Sequence, residues 1–345
     1  MGISIYNLRA RSEITFSVIY ECGLKMRIYN SNTQTKIDQE LFKTLITLRA
    51  KRDFNPKEYL KKKHILLNQY MMKFNLSTCI IAVSGGIDSA VTLGIVNSTS
   101  KVNNSPIRKI IPVLLPVFSK EGATNQDQAV ERGKLICRFF GIKPVIIDLT
   151  SSHQTVKNTV DKNLSIKGED WASGQLVSYI RTPALYYISS LLSEKNLPAI
   201  ICGTTNRDEG AYLGYFGKAS DGMVDLQIIS DIHKSEVYKI AELLNIPQEI
   251  INTVPSGDMY DGRSDEQVFG ATYDFVELFL LLKSIQDKKT VDSIKQKWTI
   301  NAKKQFIVLS KRLEKLHNYN LHKYLSGSSS IHLDIYERKV PGGWS

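Results

Sequence analysis

The chain has 345 residues, of which 42% are apolar and 23% charged, enough to bury one large core or two smaller ones. Its formal net charge of +11 suits anionic partners: nucleotides, nucleic acid or acidic membrane surfaces. No apolar run approaches the ~20 residues of a membrane span, and Cys22, Cys79, Cys137 and Cys202 lie far apart with no Cys-x-x-Cys pair, which argues against a zinc ribbon or a dithiol redox site.

The first residues do not read as a signal peptide, because Arg9, Arg11 and Glu13 interrupt the apolar pieces. Tyr6 breaks the myristoylation pattern that Gly2 begins, and Met26 is an alternative start. Residues 1–54 are read as an N-terminal extension and 55–345 as the main domain. The cysteine usage fits a reducing, cytoplasmic compartment. Lys57–Lys63 is basic with a helical pattern and reads as a solvated face rather than a nucleic-acid patch.

Apolar runs at Cys79–Val83, Ile110–Leu115, Val145–Leu149 and Ala199–Cys202 predict buried parallel strands. Helical spacing falls between them, at Ser89–Val96, Asn125–Phe140 and Leu176–Leu192. This alternation predicts a doubly wound, mostly parallel α/β sheet with helices on both faces. Ligands of such sheets bind beyond the carboxyl ends of the strands. Asn97–Lys109 reads as a surface loop, Ser151–Asn163 as a polar, mobile stretch and Pro255–Asp265 as a flexible loop. Asp231–Leu244 reads as a helix capped by its first residue, and the chain after Ala271 is mostly helical by pattern.

The strongest signal is the strand Ile80–Val83 running into Ser84-Gly85-Gly86-Ile87-Asp88-Ser89 and a helix. Two glycines let the backbone turn tightly against a ligand. Backbone N–H groups at the new helix start then suit phosphate oxygens. Asp88 sets a carboxylate beside that anion site, where Mg²⁺ is the natural guest between carboxylate and phosphate. The Gly-Lys-Ser/Thr ending of the nucleoside-triphosphatase loop is missing.

This loop resembles that of the ATP pyrophosphatases, which split ATP into AMP and pyrophosphate. A second block follows Ala199–Cys202: Gly203-Thr204-Thr205-Asn206-Arg207-Asp208-Glu209, Gly214–Lys218, Asp221–Leu226 and Asp231–Val237. In that order it is similar to NAD synthetases, over roughly residues 55–345 and most densely over 199–265. The resemblance implies an adenine nucleotide α-hydrolase-like, Rossmann-like fold. It also implies that Ser84, Gly85, Gly86, Ile87, Asp88 and Ser89 hold the phosphates of ATP, with Thr204, Lys234 and Ser256 as further ATP contacts. Asp88 and Glu209 become magnesium ligands, and Arg181, Lys218, Asp225, Arg338 and Lys339 contacts of the dinucleotide. Asp88, Lys218 and Lys234 carry the catalytic roles, and a homodimer is implied.

The sequence departs from the family in three places, one of them the C-terminal segment Tyr336-Glu337-Arg338-Lys339-Val340-Pro341, which resembles the family's basic tail only loosely. Tyr179-Ile180-Arg181-Thr182 stands where the family has Ala-Arg-x-Arg, so Tyr179 replaces the first arginine. The stretch from Glu209 to Gly214 is one residue longer than in bacterial ammonia-using forms. His233 reads as a helix-surface residue, and Tyr212, Tyr215 and Phe216 as packing.

The implied reaction adenylates the nicotinate carboxylate of deamido-NAD and then replaces AMP with ammonia. Glutamine-using members carry a long amidase domain first. Only 78 residues precede Cys79 here, against ~100–150 for a typical domain, so free ammonia, or ammonia handed over by a separate protein, is expected. Two alternatives stand beside this reading: a tRNA-modifying enzyme of the same loop group, and a nucleotide-binding sensor without catalysis. The first lacks its catalytic cysteine pair and an RNA-binding module. The second is at odds with the retention of Asp88, Glu209, Lys218 and Lys234.

Overall fold

Five strands form one parallel sheet: β1 (Thr78–Ala82), β2 (Lys109–Leu114), β3 (Val145–Ile146), β4 (Ala199–Gly203) and β5 (Leu226–Gln227), in spatial order β3-β2-β1-β4-β5. The computed structural model describes residues 37–118, 126–257 and 262–324, together with the backbone of 332–333 and 343–344. Ile80 at the sheet centre sits opposite Ile111 on one side and Ile201 on the other. The side-chain period of two sends Cys79 and Ile81 to one face and Ile80 to the other, and each face meets its own apolar layer. Both faces of β1 are covered, which explains its unbroken apolar sequence.

Over the Ile81 face lie α2 (Pro56–Lys73), α3 (Ile87–Ser100), α4 (Gln126–Phe139), α8 (Lys234–Leu243) and α9 (Gln248–Ile251). Over the Ile80 face lie α6 (Asp170–Tyr179) and α7 (Arg181–Glu194), through Val177 and Leu185, with α5 (Thr150–Leu164) packed against α6. A separate helical core joins α1 (Gln39–Arg52), α10 (Asp265–Phe269), α11 (Tyr273–Ser284), α12 (Lys288–Gln296) and α13 (Ile300–Asn320).

Residues 37–54 pack with the described residues that follow them. Asp38 caps α1 by accepting from the Glu40 N–H, and Leu41, Leu45 and Leu48 enter the helical core. Arg49 forks onto Glu277 of α11, Nε to Oε1 at 2.9 Å and Nη2 to Oε2 at 2.5 Å, and also reaches Asp274. Arg52 forks onto Glu236 of α8.

Three local expectations are corrected. Ser151–Asn163 is not a loop but the body of α5, which buries His153 and bonds its ring to the Ser173 carbonyl at 3.0 Å. Leu176–Leu192 is not one helix: the chain breaks at Ile180 into α6 and α7. Pro183 has no N–H for the Tyr179 carbonyl four residues back, and its ring crowds that oxygen. Finally, α3 runs to Ser100 and takes up the start of the stretch read as a loop from Asn97.

Candidate active site

The strand order reverses between β1 and β4, and the two motif loops leave the sheet there, at adjacent carboxyl ends. Gly85 takes φ +83°, and a Cβ on it would come within 2.4 Å of the Ala129 carbonyl oxygen, so only glycine fits. Arg132 Nε donates to the Gly85 carbonyl at 3.2 Å, tying the loop to α4. Gly86 is the N-cap of α3 without a side-chain cap, and the first intrahelical bond runs from Ala90 N to the Gly86 carbonyl. The N–H groups of Ile87, Asp88 and Ser89 therefore lie in the turn with no intrahelical acceptor. The Ile87 side chain itself is buried in the core. Ser84 is exposed beside them, its hydroxyl 3.3 Å from that of Ser89.

Across the gap, β4 ends at Gly203, and Thr204 and Asn206 follow. Asn206 is fully buried. Its Oδ1 accepts from the N–H groups of Asp208 and Glu209. Its Nδ2 donates to Asp88 Oδ1 at 2.9 Å and Glu209 Oε1 at 2.6 Å. Lys234, at the first turn of α8, is 2% exposed and sends Nζ between the same two carboxylates, 2.5 Å from Asp88 Oδ2 and 3.4 Å from Glu209 Oε1. Its amine also lies over the Tyr273 ring, 4.9 Å from the centroid. Burial alone disfavours the ammonium, but Asp88, Glu209 and Asp265 more than offset it, and Lys234 is held charged.

Glu209 is the strained partner. Burial pushes its carboxyl up to about 8, Lys234 opposes that shift, and the charges of Asp88 and Asp265 add to it. The Tyr273 hydroxyl lies 2.8 Å from both Glu209 Oε1 and Asp265 Oδ2. One phenolic proton serves one acceptor at a time, and its bond to Glu209 opposes the upward shift of that carboxyl. A carboxylate short of positive charge is what a divalent ion would relieve. Among the described residues no three His, Cys, Asp or Glu side chains converge as a metal cage. Two carboxylates facing a phosphate loop fit Mg²⁺, which takes few protein ligands and completes its shell with phosphate oxygens and water.

Asp208 and His233 are both fully buried, with His233 Nδ1 2.6 Å from Asp208 Oδ1. The other carboxylate oxygen accepts from the Lys234 N–H at 2.7 Å. The helix-surface expectation for His233 is thus overturned, because α8 begins at Lys234 and His233 is its inward-facing N-cap. Asp231, expected as the cap, instead accepts from the Tyr59 hydroxyl at 2.7 Å.

A cavity of about 120 Å³ opens beside this cluster, lined among others by Ser84, Leu115, Gln126, Arg181, Thr204 and Asp221. Arg181 is turned inward there, donating from Nε to the Leu115 carbonyl and from Nη2 to Gln126. Lys218 is exposed on the turn Gly217–Gly222, and Ser256 is exposed on its loop. Asp225 is exposed at the sheet edge, where Oδ2 accepts from the Ile201 N–H at 2.8 Å and Oδ1 from the Tyr186 hydroxyl at 3.3 Å. Arg338 and Lys339 lie outside the described residues.

Four residues went without a role in the sequence reading. Asn206 and Asp208 lie inside the quoted block, next to Glu209, and their position was the available signal. Asp265 holds the loop that carries Ser256, accepting from the Gly257 N–H at 2.8 Å and the Tyr215 hydroxyl at 3.1 Å. Tyr273 joins it to Glu209. Only the fold brings these two to the site.

The NAD synthase family profile matches residues 59–324. An NH(3)-dependent NAD(+) synthetase of Alkaliphilus oremlandii is 34% identical over 214 residues, 60% of this chain and 78% of the relative. One from Thermoplasma volcanium is 33% identical over 209 residues, 61% and 77% of the two chains. Among solved structures, an NMN synthetase from Francisella tularensis has TM-score 0.63 at 24% identity, covering 82% of this chain and 100% of that one. An NH3-dependent NAD synthetase from Campylobacter jejuni has TM-score 0.56 at 20% identity, covering 81% and 100%. At these identities the two structures establish the fold, an α/β architecture around a parallel sheet. No helix among the described residues is long and apolar enough to cross a membrane.

Proposed function

The chain belongs to the NAD synthase family, and from that premise we propose how its own residues carry out the family's reaction. It is a ligase: it amidates deamido-NAD with ammonia at the expense of ATP. The carrying observation is the buried cluster of Asp88, Asn206, Glu209 and Lys234 at the joined ends of β1 and β4.

The free amides of Ile87, Asp88 and Ser89, with the Ser84 hydroxyl, bind the phosphates of ATP. Thr204 and Arg181 line the cavity for the rest of the nucleotide and the reacting end of the substrate. The nicotinate carboxylate attacks the α-phosphorus, the bond to the bridging oxygen breaks, and pyrophosphate leaves. Lys234 faces the charge that develops on the leaving oxygens. Ammonia then adds to the acyl carbon, the acyl C–O bond breaks, AMP departs and a proton is released to solvent. No protein nucleophile is needed. Asp88 and Glu209 are the residues that would hold Mg²⁺, which supplies charge neutralisation on the phosphates. Lys218 and Asp225, exposed near the cavity mouth, are proposed to contact the dinucleotide, and Ser256 the ATP.

Exposed apolar side chains on the three helices α5, α6 and α7, among them Leu164, Trp171, Tyr187 and Leu191, support a homodimer through that face. Light scattering checks this: the chain runs as a dimer, and Trp171→Glu shifts it to monomer. Buried free thiols at Cys79, Cys137 and Cys202 support a reducing, cytoplasmic setting. Ammonia, free or from a separate protein, is the nitrogen donor. With purified protein, ATP, Mg²⁺ and deamido-NAD, ammonium is expected to yield NAD and AMP. ADP as the nucleotide product, or glutamine working as well as ammonium with glutamate released, would count against this reading.

A further inference from the structure

The segment that begins at Glu209 folds as a π turn, Glu209–Leu213. The Gly214 N–H closes back onto the Glu209 carbonyl, five residues earlier, and the Tyr215 N–H reaches the same oxygen at 3.0 Å. A π turn houses one extra residue without moving its ends apart, and such turns gather at functional sites. It is wide and short, and it leaves its later carbonyls without donor partners in the turn itself.

Those carbonyls are met from one place. At the end of α13, in the 3₁₀ turn after it (Leu321–Lys323) and at Tyr324, four side chains donate to five carbonyls, three in the π turn and two just after it. Tyr324 Oη donates to Gly210 O at 2.8 Å, His317 Nδ1 to Tyr212 O at 2.6 Å and Asn320 Nδ2 to Leu213 O at 2.8 Å. Lys323 Nζ donates to Gly214 O at 3.0 Å and Phe216 O at 2.7 Å. The His317 ring stacks on Tyr212, centroids 3.9 Å apart. Contact is close enough that a Cβ on Gly214, at φ +63°, would come within 2.6 Å of Asn320 Cβ.

We propose that His317, Asn320, Lys323 and Tyr324 are positioning residues, a clamp that holds the π turn and thereby sets Glu209 at its start and Lys218 beyond its end. The clamp touches neither ATP nor the dinucleotide. It acts on the metal side through Glu209 and on the dinucleotide side through the loop Gly214–Lys218, and it rests on the roles given to those two residues above. The wide turn offers a run of open carbonyls, and the end of α13 (His317, Asn320) with the residues just after it (Lys323, Tyr324) supplies the donors.

The test uses Asn320→Ala, Lys323→Met and Tyr324→Phe, with Lys323→Arg as the conservative control, and three readouts. The first is hydrogen exchange of the amides of residues 212–216, which needs no substrate. The second is calorimetry of ATP binding at increasing Mg²⁺. The third is the split of KM and kcat for deamido-NAD. Asn320→Ala and Tyr324→Phe are expected to speed exchange and raise the Mg²⁺ needed for half-maximal ATP binding about 10-fold, the usual cost of losing an outer partner of a metal ligand. Lys323→Met is expected to raise KM for deamido-NAD about 10-fold with kcat nearly kept, and Lys323→Arg to restore it. Variants that lower only the melting temperature, with exchange, Mg²⁺ demand and KM unchanged, overturn the clamp. A wild-type protein that fails to amidate deamido-NAD overturns the proposed function instead, and exchange with the Mg²⁺ titration then decides the clamp alone.

Discussion

Replacing Asp208 by asparagine changes one oxygen to an amide nitrogen at the point where the second motif grips the helix of Lys234. The native carboxylate is fully buried and accepts twice, from His233 Nδ1 at 2.6 Å and from the Lys234 N–H at 2.7 Å. An amide accepts at one end only, so its NH₂ must face one of these two donors. A hydrogen bond to a charged group contributes about 1.5–3 kcal/mol, and stripping the partner from a buried ion pair costs about 3–5 kcal/mol. Burial pulls the His233 pKa down, but Asp208, with smaller help from Glu277 and Glu236, more than offsets this, and the value stands above the ordinary 6.5. A raised folded pKa contributes stability that is full below the unfolded value and is lost as pH rises through the folded one. The cost of Asp208→Asn is therefore expected to be about 3–5 kcal/mol at pH 6 and clearly smaller at pH 9. Urea unfolding of both proteins at the two pH values measures it. Loosening the first turn of α8 also shifts Lys234 away from Asp88, and a misplacement of about 1 Å costs on the order of 10²-fold in turnover. A loss under about 1 kcal/mol, or the same loss at both pH values, would refute the reasoning from the buried pair.

Asp88→Asn and Glu209→Gln are each expected to cut turnover by on the order of 10²-fold or more; near wild-type rates in either variant remove that residue from the site. Gly85→Ala forces a Cβ toward the Ala129 carbonyl at a positive φ, and it is expected to abolish ATP binding measured by calorimetry. Arg49→Met leaves Glu277, 1% exposed, without its cation, and is expected to destabilise the fold by about 3–5 kcal/mol in denaturant melts. A neutral result there means that α1 contributes little to the unit.

β1, β2, β4 and the glycine loop after β1 were legible because their signals are local; the run 145–149, read as a buried strand, yields only the two-residue edge strand β3, with Val145 and Ile146 both exposed. A continuous apolar run into Ser84-Gly85-Gly86 needs no partner to be read, and the structure places β1 and α3 there. β5 was not legible, since two residues, Leu226 and Gln227, carry no period. The break at Ile180 was written in Pro183 but hidden by apolar spacing that runs through it. Within the site, Asp88, Glu209 and Lys234 came from motif order and meet in one cluster. His233 was misread because helical spacing was counted from Asp231, which puts it on the wrong side of the helix start. Asp265, Tyr273 and the side chains at the end of α13 were out of reach. They act on Glu209 and its turn through contacts between residues distant in sequence, such as Tyr273 to Glu209 and Tyr324 to Gly210, which no local pattern encodes.

The most direct test follows an oxygen atom. Deamido-NAD labelled with ¹⁸O in its nicotinate carboxylate is turned over with ATP, Mg²⁺ and ammonium, and the AMP is weighed by mass spectrometry. Attack of the carboxylate on the α-phosphorus and cleavage of the acyl C–O bond predict one ¹⁸O in each AMP, formed in step with NAD. NAD formed alongside unlabelled AMP, or label recovered in inorganic phosphate with ADP as the nucleotide product, would contradict the adenylated intermediate and the roles assigned around it.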